Sequence, residues 1–127
     1  MNCKHHRMNA IPDFTDTELW VIRTTLKERY GHDAELQFGD AELRLDPVKP
    51  ILTECPAVAW QGHEATFVIF KTGEGRYRAQ FFYNVREQYG TGIEEYLDIT
   101  ECVTTLLQTQ ADQYRAREEE KSRGSGA

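Results

Sequence analysis

Two helix-start signatures, at Thr15 and at Asp98, bracket a long segment whose apolar residues recur at period two rather than at helical spacing. A chain with that pattern must gather several strands between an opening and a closing helix. The first signature, Thr15-Asp16-Thr17-Glu18, is a capping box: the Thr15 hydroxyl and the Glu18 carboxylate each satisfy an amide that the first helical turn leaves without a partner. Leu19, Ile22, Leu26 and Tyr30 follow at helical spacing, and Gly31 supplies a left-handed stop, which predicts a helix from about Asp16 to Tyr30. The second signature pairs Asp98 with Glu101 and opens a helix whose stripe is Ile99, Val103, Leu106, Ala111 and Tyr114. Beyond it, residues 115–121 balance acids and bases without an apolar face and read as a solvated extension.

Between the helices, Ala34, Leu36 and Phe38, then Ala41, Leu43 and Leu45, alternate with polar residues on either side of Gly39-Asp40. That is the pattern of a hairpin with a two-residue turn. Three of the four prolines fall in residues 47–56, which marks a connection or a ragged edge. Ala57–Trp60, Ala65–Lys71 and Arg76–Val85 read as further strands, with turn signals at Gly62-His63 and Gly73-Glu74-Gly75. Tyr89-Gly90-Thr91-Gly92 reads as a flexible loop leading into the second helix.

Strands do not alternate with helices and no repeat is visible, which excludes a doubly wound sheet and a solenoid. The expected fold class is α+β: helix, an antiparallel meander of about five strands, helix, with both helices on one face of the sheet. Residues 13–121 form one domain in this reading, between a flexible N-terminal arm (1–12) and a disordered tail (122–127).

Strand register decides which sheet face is left uncovered. Turns at Gly62-His63 and Gly73-Glu74 would put Ala57, Ala59, Val68, Phe70, Tyr77, Ala79 and Phe81 on one face, where the small alanines admit helices. The other face would carry Val58, Trp60, Phe67, Ile69 and Phe82, with Arg76 and Arg78 at its edge. These seven residues are the expected partner-binding or ligand-binding surface, because so many large apolar side chains call for a cover. The chain's own loops, folded across the face, are the plain structural alternative.

The 15 Lys+Arg against 21 Asp+Glu give a net charge of −6, which disfavours nucleic acid and anionic membranes as partners. The average conceals a local +3 over residues 65–86, where Lys71, Arg76, Arg78 and Arg86 face a single Glu74. No apolar run approaches the roughly 20 residues of a membrane span, and no secretory signal is recognisable. Three cysteines without a Cys-x-x-Cys argue against a disulfide framework and for a reducing, cytoplasmic setting.

Candidate chemistry is sparse. Cys3, His5 and His6 offer donors for zinc or copper but lack a second pair of ligands, so no metal site is expected. His63-Glu64 and His32-Asp33 hold acid and base side by side, yet neighbouring residues in a strand face opposite ways. Cys55 lacks a defined base, and Cys102 belongs to an apolar stripe. No nucleotide-binding glycine motif is present, and no cofactor is implied.

The leading expectation is a small non-catalytic binding or regulatory protein that uses its open sheet face for self-association or for a protein partner. The alternative is a small-molecule enzyme or carrier in which Arg76 or Arg78 holds an anionic ligand and His63 or Glu64 moves protons. Single-stranded nucleic-acid binding through the arginine-aromatic strand is the third reading.

Overall fold

The computed structural model describes residues 11–84 and 86–125, with backbone alone at 124 and 125. Residues 1–10 of the expected arm (1–12), with Cys3, His5 and His6, lie outside the described residues, as do residues 126–127 of the expected tail. The order is α1 (Asp16–Tyr30), β1 (Gln37–Leu43), β2 (Thr53–Gly62), β3 (Ala65–Gly73), β4 (Arg76–Asn84), β5 (Glu87–Gly90) and α2 (Ile99–Ser125). The strands form one antiparallel sheet in sequence order, so the α+β class and the meander are as expected.

Local signals set the helix ends. The Thr15 hydroxyl accepts from the Glu18 amide while the Glu18 carboxylate accepts from the Thr15 amide, which completes the capping box. Gly31 closes α1 at φ +79°, its amide donating to the Lys27 carbonyl at 2.8 Å. At the start of α2 the Asp98 carboxylate accepts from the Thr100 amide. The helix then continues through Ser125, into the segment expected to be tail.

The strands depart from expectation at three places. Gly39 and Asp40 are not a turn: β1 runs straight through them, pairing Gly39 with Ala57 and Asp40 with Pro56. Gly39 is not among the glycines at positive φ, so it lacks the conformation a type II′ turn needs. One continuous ladder to β2 holds more hydrogen bonds than a short hairpin, and that ladder wins. At the β2–β3 turn the corner residues are His63 and Glu64, at φ 51° and 68°, with Gly62 paired to Ala65. That register differs from the expected one by two residues, so every side chain keeps its face.

The third departure moves side chains between faces. Thr72 is an extra residue in β3, a β-bulge between the pairs Lys71↔Tyr77 and Gly73↔Arg76, and the turn falls at Glu74-Gly75. Phe67 therefore pairs with Phe81, and Ile69 with Ala79. Tyr77, Ala79 and Phe81 thus share a face with Val58, Trp60, Phe67 and Ile69, not with Val68 and Phe70. The expected loop at Tyr89-Gly90 also contains a strand, since Tyr89 pairs with Phe81 in β5.

Buried Phe14, Ile22 and Leu26 from the α1 end, and Ile99, Cys102, Val103, Leu106 and Leu107 from α2, join one core cluster. Its sheet members are Val58, Trp60, Ala65, Phe67, Ile69, Tyr77, Ala79 and Phe81. The helices were expected over the alanines Ala57 and Ala59, but the large side chains of the other face form the core. Burying large apolar side chains gains more than close approach over alanine.

Candidate functional site

The seven residues expected to make one binding surface are divided by the fold. Val58, Phe67 and Ile69 are fully buried and Trp60 nearly so, all within the core cluster. Phe82 and Arg78 lie on the opposite, outer face, and both are half-buried. Arg76 is exposed at the β3–β4 corner, 3.9 Å from Glu95. The expected basic strand disperses in the same way, because Lys71 points into the core and is 1% exposed.

The outer face is what the fold leaves open. Cross-strand pairing brings together Ala57 and Ala59 on β2, Thr66, Val68 and Phe70 on β3, and Arg78, Gln80 and Phe82 on β4, all half-buried. Gln37 and Gly39 extend it onto β1. A shallow depression of about 210 Å³ lies over the β1–β2 side, lined by residues 37–40 with Ala57 and Ala59. That volume is below the roughly 300 Å³ where small-molecule sites begin.

One corner of this face is roofed. Arg78 reaches toward the β1–β2 connection and donates from Nη2 to the Leu45 carbonyl at 3.4 Å, while its buried Nε has no hydrogen-bond partner. The connection is itself tied by Arg44, which donates to the Pro47 and Lys49 carbonyls. Cys55 is fully buried at this corner, and burial pushes its thiol up while the nearby Arg78 charge pulls it back. The same connection leaves Val48, Ile51 and Leu52 exposed.

Sequence reasoning missed a polar cluster inside the core. Lys71 Nζ donates to Glu18 Oε1 at 2.8 Å and to the Asp13 carbonyl at 2.9 Å, and the Tyr77 hydroxyl donates to Glu18 Oε2. Burial acts against the Glu18 charge. The hydrogen bonds from Lys71, Tyr77 and the Thr15 amide, with the Lys71 charge, outweigh it and hold the carboxyl below its ordinary value. Burial and then Glu18 push the Tyr77 phenol upward. The visible signal was a lysine at a core position of the period-two pattern. The cluster is closed to solvent and joins α1 to β3 and β4.

His63-Glu64 of the alternative reading, and the other pair His32-Asp33, lie at the end of the sheet away from Arg76. His63 and His32 flank Tyr30, with ring centroids 5.5 and 6.1 Å from it. The nine residues of β3 separate that end from the β3–β4 corner, about 30 Å at strand rise. Arg76 and His63 therefore do not meet in one pocket. Among the described residues no group of three or more His, Cys, Asp or Glu could hold a metal ion. No helix among them is long and apolar enough to cross a membrane.

No family model, no curated protein and no solved structure matches this chain.

Proposed function

We propose that this chain is a small cytoplasmic protein-binding module that works through the outer face of its sheet. The observation that supports this reading is the half-open cluster of Val68, Phe70 and Phe82 beside Ala57 and Ala59. The opposite face spends its large side chains on the core, whereas these three retain contact with water. Completing the burial of such a side chain is worth up to about 1.5–3 kcal/mol, enough for a few of them to anchor a protein contact. Arg78 and Phe82 are the members of the expected binding set that belong to it.

Site-specific photo-cross-linking tests the reading. A photoreactive phenylalanine analogue replaces Val68 or Phe82 in one pair of proteins, and Thr104, exposed on α2, in a control. Protein adducts at the two sheet positions and none at Thr104 are expected. Absence of adducts at Val68 and Phe82, or the same adducts at Thr104, rejects the outer face as the contact surface.

A further inference from the structure

We infer that the open edge of β1 is a docking site for an extended, basic segment of another protein, which adds to the five-stranded sheet as one more strand. The inference goes beyond the reading of the outer face and does not depend on it. Backbone, charge and relief along β1 lead to it.

β1 pairs with β2 alone, so among the described residues its far edge carries no strand. Such an edge turns the N–H and C=O of every second residue outward, where another chain can bond them. Gln37, Phe38, Gly39 and Asp40 are all exposed, and the strand runs for seven residues without a proline or a bulge. The opposite edge differs. β5 has four residues, and its Glu87 accepts from Asn84 and lies 3.7 Å from Arg117 of α2. The longer and barer template for strand addition is β1.

Charge selects what can be added. Phe38, Asp40 and Glu42 lie on the Val58 side of the sheet, where the helices pack, yet all three are exposed. The helix layer thus stops short of β1. Asp40 and Glu42 stand about 7 Å apart along the strand, the spacing of alternate side chains on an added strand. Across the ladder Glu42 is paired with Glu54, which brings a third carboxylate to the same place. Like charges opposed on neighbouring strands are unfavourable, and a cation beside them relieves the repulsion. Among the described residues neither Asp40 nor Glu42 makes an ion pair. Residues 33–46 hold five acids and one base, Arg44, which is turned to the Pro47 and Lys49 carbonyls. A second β1 added here would set acid against acid, whereas a strand with Lys or Arg at alternate positions meets Asp40 and Glu42 with opposite charge.

Relief sets the positions in between. Gln37 and Gly39 face the other side of the sheet, beside the depression of about 210 Å³ that Ala57 and Ala59 help to line. Gly39 has no side chain to hold an added strand away, so an apolar side chain of modest size settles there. Phe38, 55% exposed, offers its ring to the methylene stem of a further basic residue. The occupant is an extended segment in which basic and apolar residues alternate.

The probe is an acetylated, amidated heptapeptide alternating lysine with valine, titrated into the full chain. Calorimetry reads the affinity, and amide hydrogen exchange followed by NMR reads the site. Binding with Kd below about 1 mM is expected, weaker as salt rises, with exchange slowed at the outward amides of residues 37–43. Asp40→Asn with Glu42→Gln is expected to weaken binding by about 4–25-fold, at about 2–5-fold for each charge pair. Both positions are exposed, and circular dichroism checks that this variant folds. Glu119→Gln with Glu120→Gln removes the same charge from an exposed part of α2 and is expected to bind like the wild type. Absence of binding overturns the basic segment as occupant. Equal binding of a peptide with glutamate in place of lysine, or an equal loss in the α2 variant, overturns selection by the β1 acids. Binding that leaves exchange in residues 37–43 unchanged overturns the edge as the site. Outward amides already protected in the free protein overturn it too, giving the edge to the chain itself, or to a second copy if protection grows with concentration.

Discussion

The Lys71 ammonium lies 2.8 Å from the Glu18 carboxylate, an ion pair between residues 53 apart in sequence with both partners buried. Glu18 serves twice, because the carboxylate that completes the α1 capping box is also the one that receives Lys71 and Tyr77. Removing one partner leaves the other charged in a place water does not reach. Lys71→Met is therefore expected to destabilise the fold by about 3–5 kcal/mol. Adding Glu18→Gln, which preserves the cap and removes the stranded charge, is expected to restore much of that loss. Urea denaturation of the two variants checks it, and a double variant no more stable than Lys71→Met would contradict it.

The same carboxylate predicts the acid limit of the fold. Its folded pKa lies below the ordinary value, so its contribution is fully present above the ordinary glutamate range and disappears as pH falls through the lowered pKa. The wild type is expected to lose stability on acidification more steeply than Glu18→Gln, with the difference confined below about pH 5. Denaturation midpoints of both proteins from pH 7 down to the acid limit test this. Parallel curves would show that Glu18 is not the linked group.

Tyr30 packs on Gly62 so tightly that a methyl group there would stand 2.5 Å from the phenol oxygen and 2.6 Å from the ring carbon bearing it. Gly62→Ala is expected to cost about 1–3 kcal/mol by overpacking. In a Tyr30→Ala background the same substitution is expected to cost almost nothing, since the obstructing ring is gone. A double-mutant cycle read by thermal or urea unfolding separates this from any effect of glycine on the strand itself.

Cys55 and Cys102 are both fully buried, and burial aided by Glu101 pushes the Cys102 thiol up to about 12. Neither forms thiolate readily near neutral pH. In a Cys3→Ser protein, a chromogenic disulfide reagent is expected to find no fast-reacting thiol in the native state and two after denaturation. Rapid reaction of the native protein would mean that the Cys55 corner or the Cys102 core opens without global unfolding.

What could be read in advance divides along the range of the interactions concerned. Helix ends depend on residues three or four apart, and the capping box at Thr15 and the stop at Gly31 form as their spacing dictates. The face assignment depends on one residue, Thr72, and nothing in the chain near it announces a bulge. Counting it as an ordinary strand residue moved Tyr77, Ala79 and Phe81 across the sheet, and with them the helices. The apparent hairpin at Gly39-Asp40 failed because its partner lay beyond the proline-rich connection, where a longer strand offered a longer ladder. β5 offers four residues and two of its rungs reach Phe81 and Phe82, too short a pattern to stand out beside glycines. Of the seven residues named for the expected site, Val58, Trp60, Phe67 and Ile69 are core instead, because the bulge adds Tyr77, Ala79 and Phe81 to their side of the sheet and the core forms there.

The β2–β3 corner carries a cost that one substitution should remove. His63 and Glu64 both adopt left-handed backbone conformations, the requirement of a type I′ turn, where asparagine and glycine are preferred. The His63 ring is held against Tyr30, and the Gln110 side chain donates to the His63 carbonyl, so the first corner position has compensating contacts. Glu64 is exposed and holds φ 68° without a glycine's freedom, at a cost of about 1–2 kcal/mol. Glu64→Gly is expected to stabilise the protein by up to about 1 kcal/mol, even after the greater entropy of glycine in the unfolded chain is counted. Glu64→Ala shortens the side chain without relieving the backbone and is expected to change stability by less than about 0.5 kcal/mol. Equal stabilisation by glycine and alanine in urea unfolding would locate the cost in the glutamate side chain instead of in the left-handed backbone.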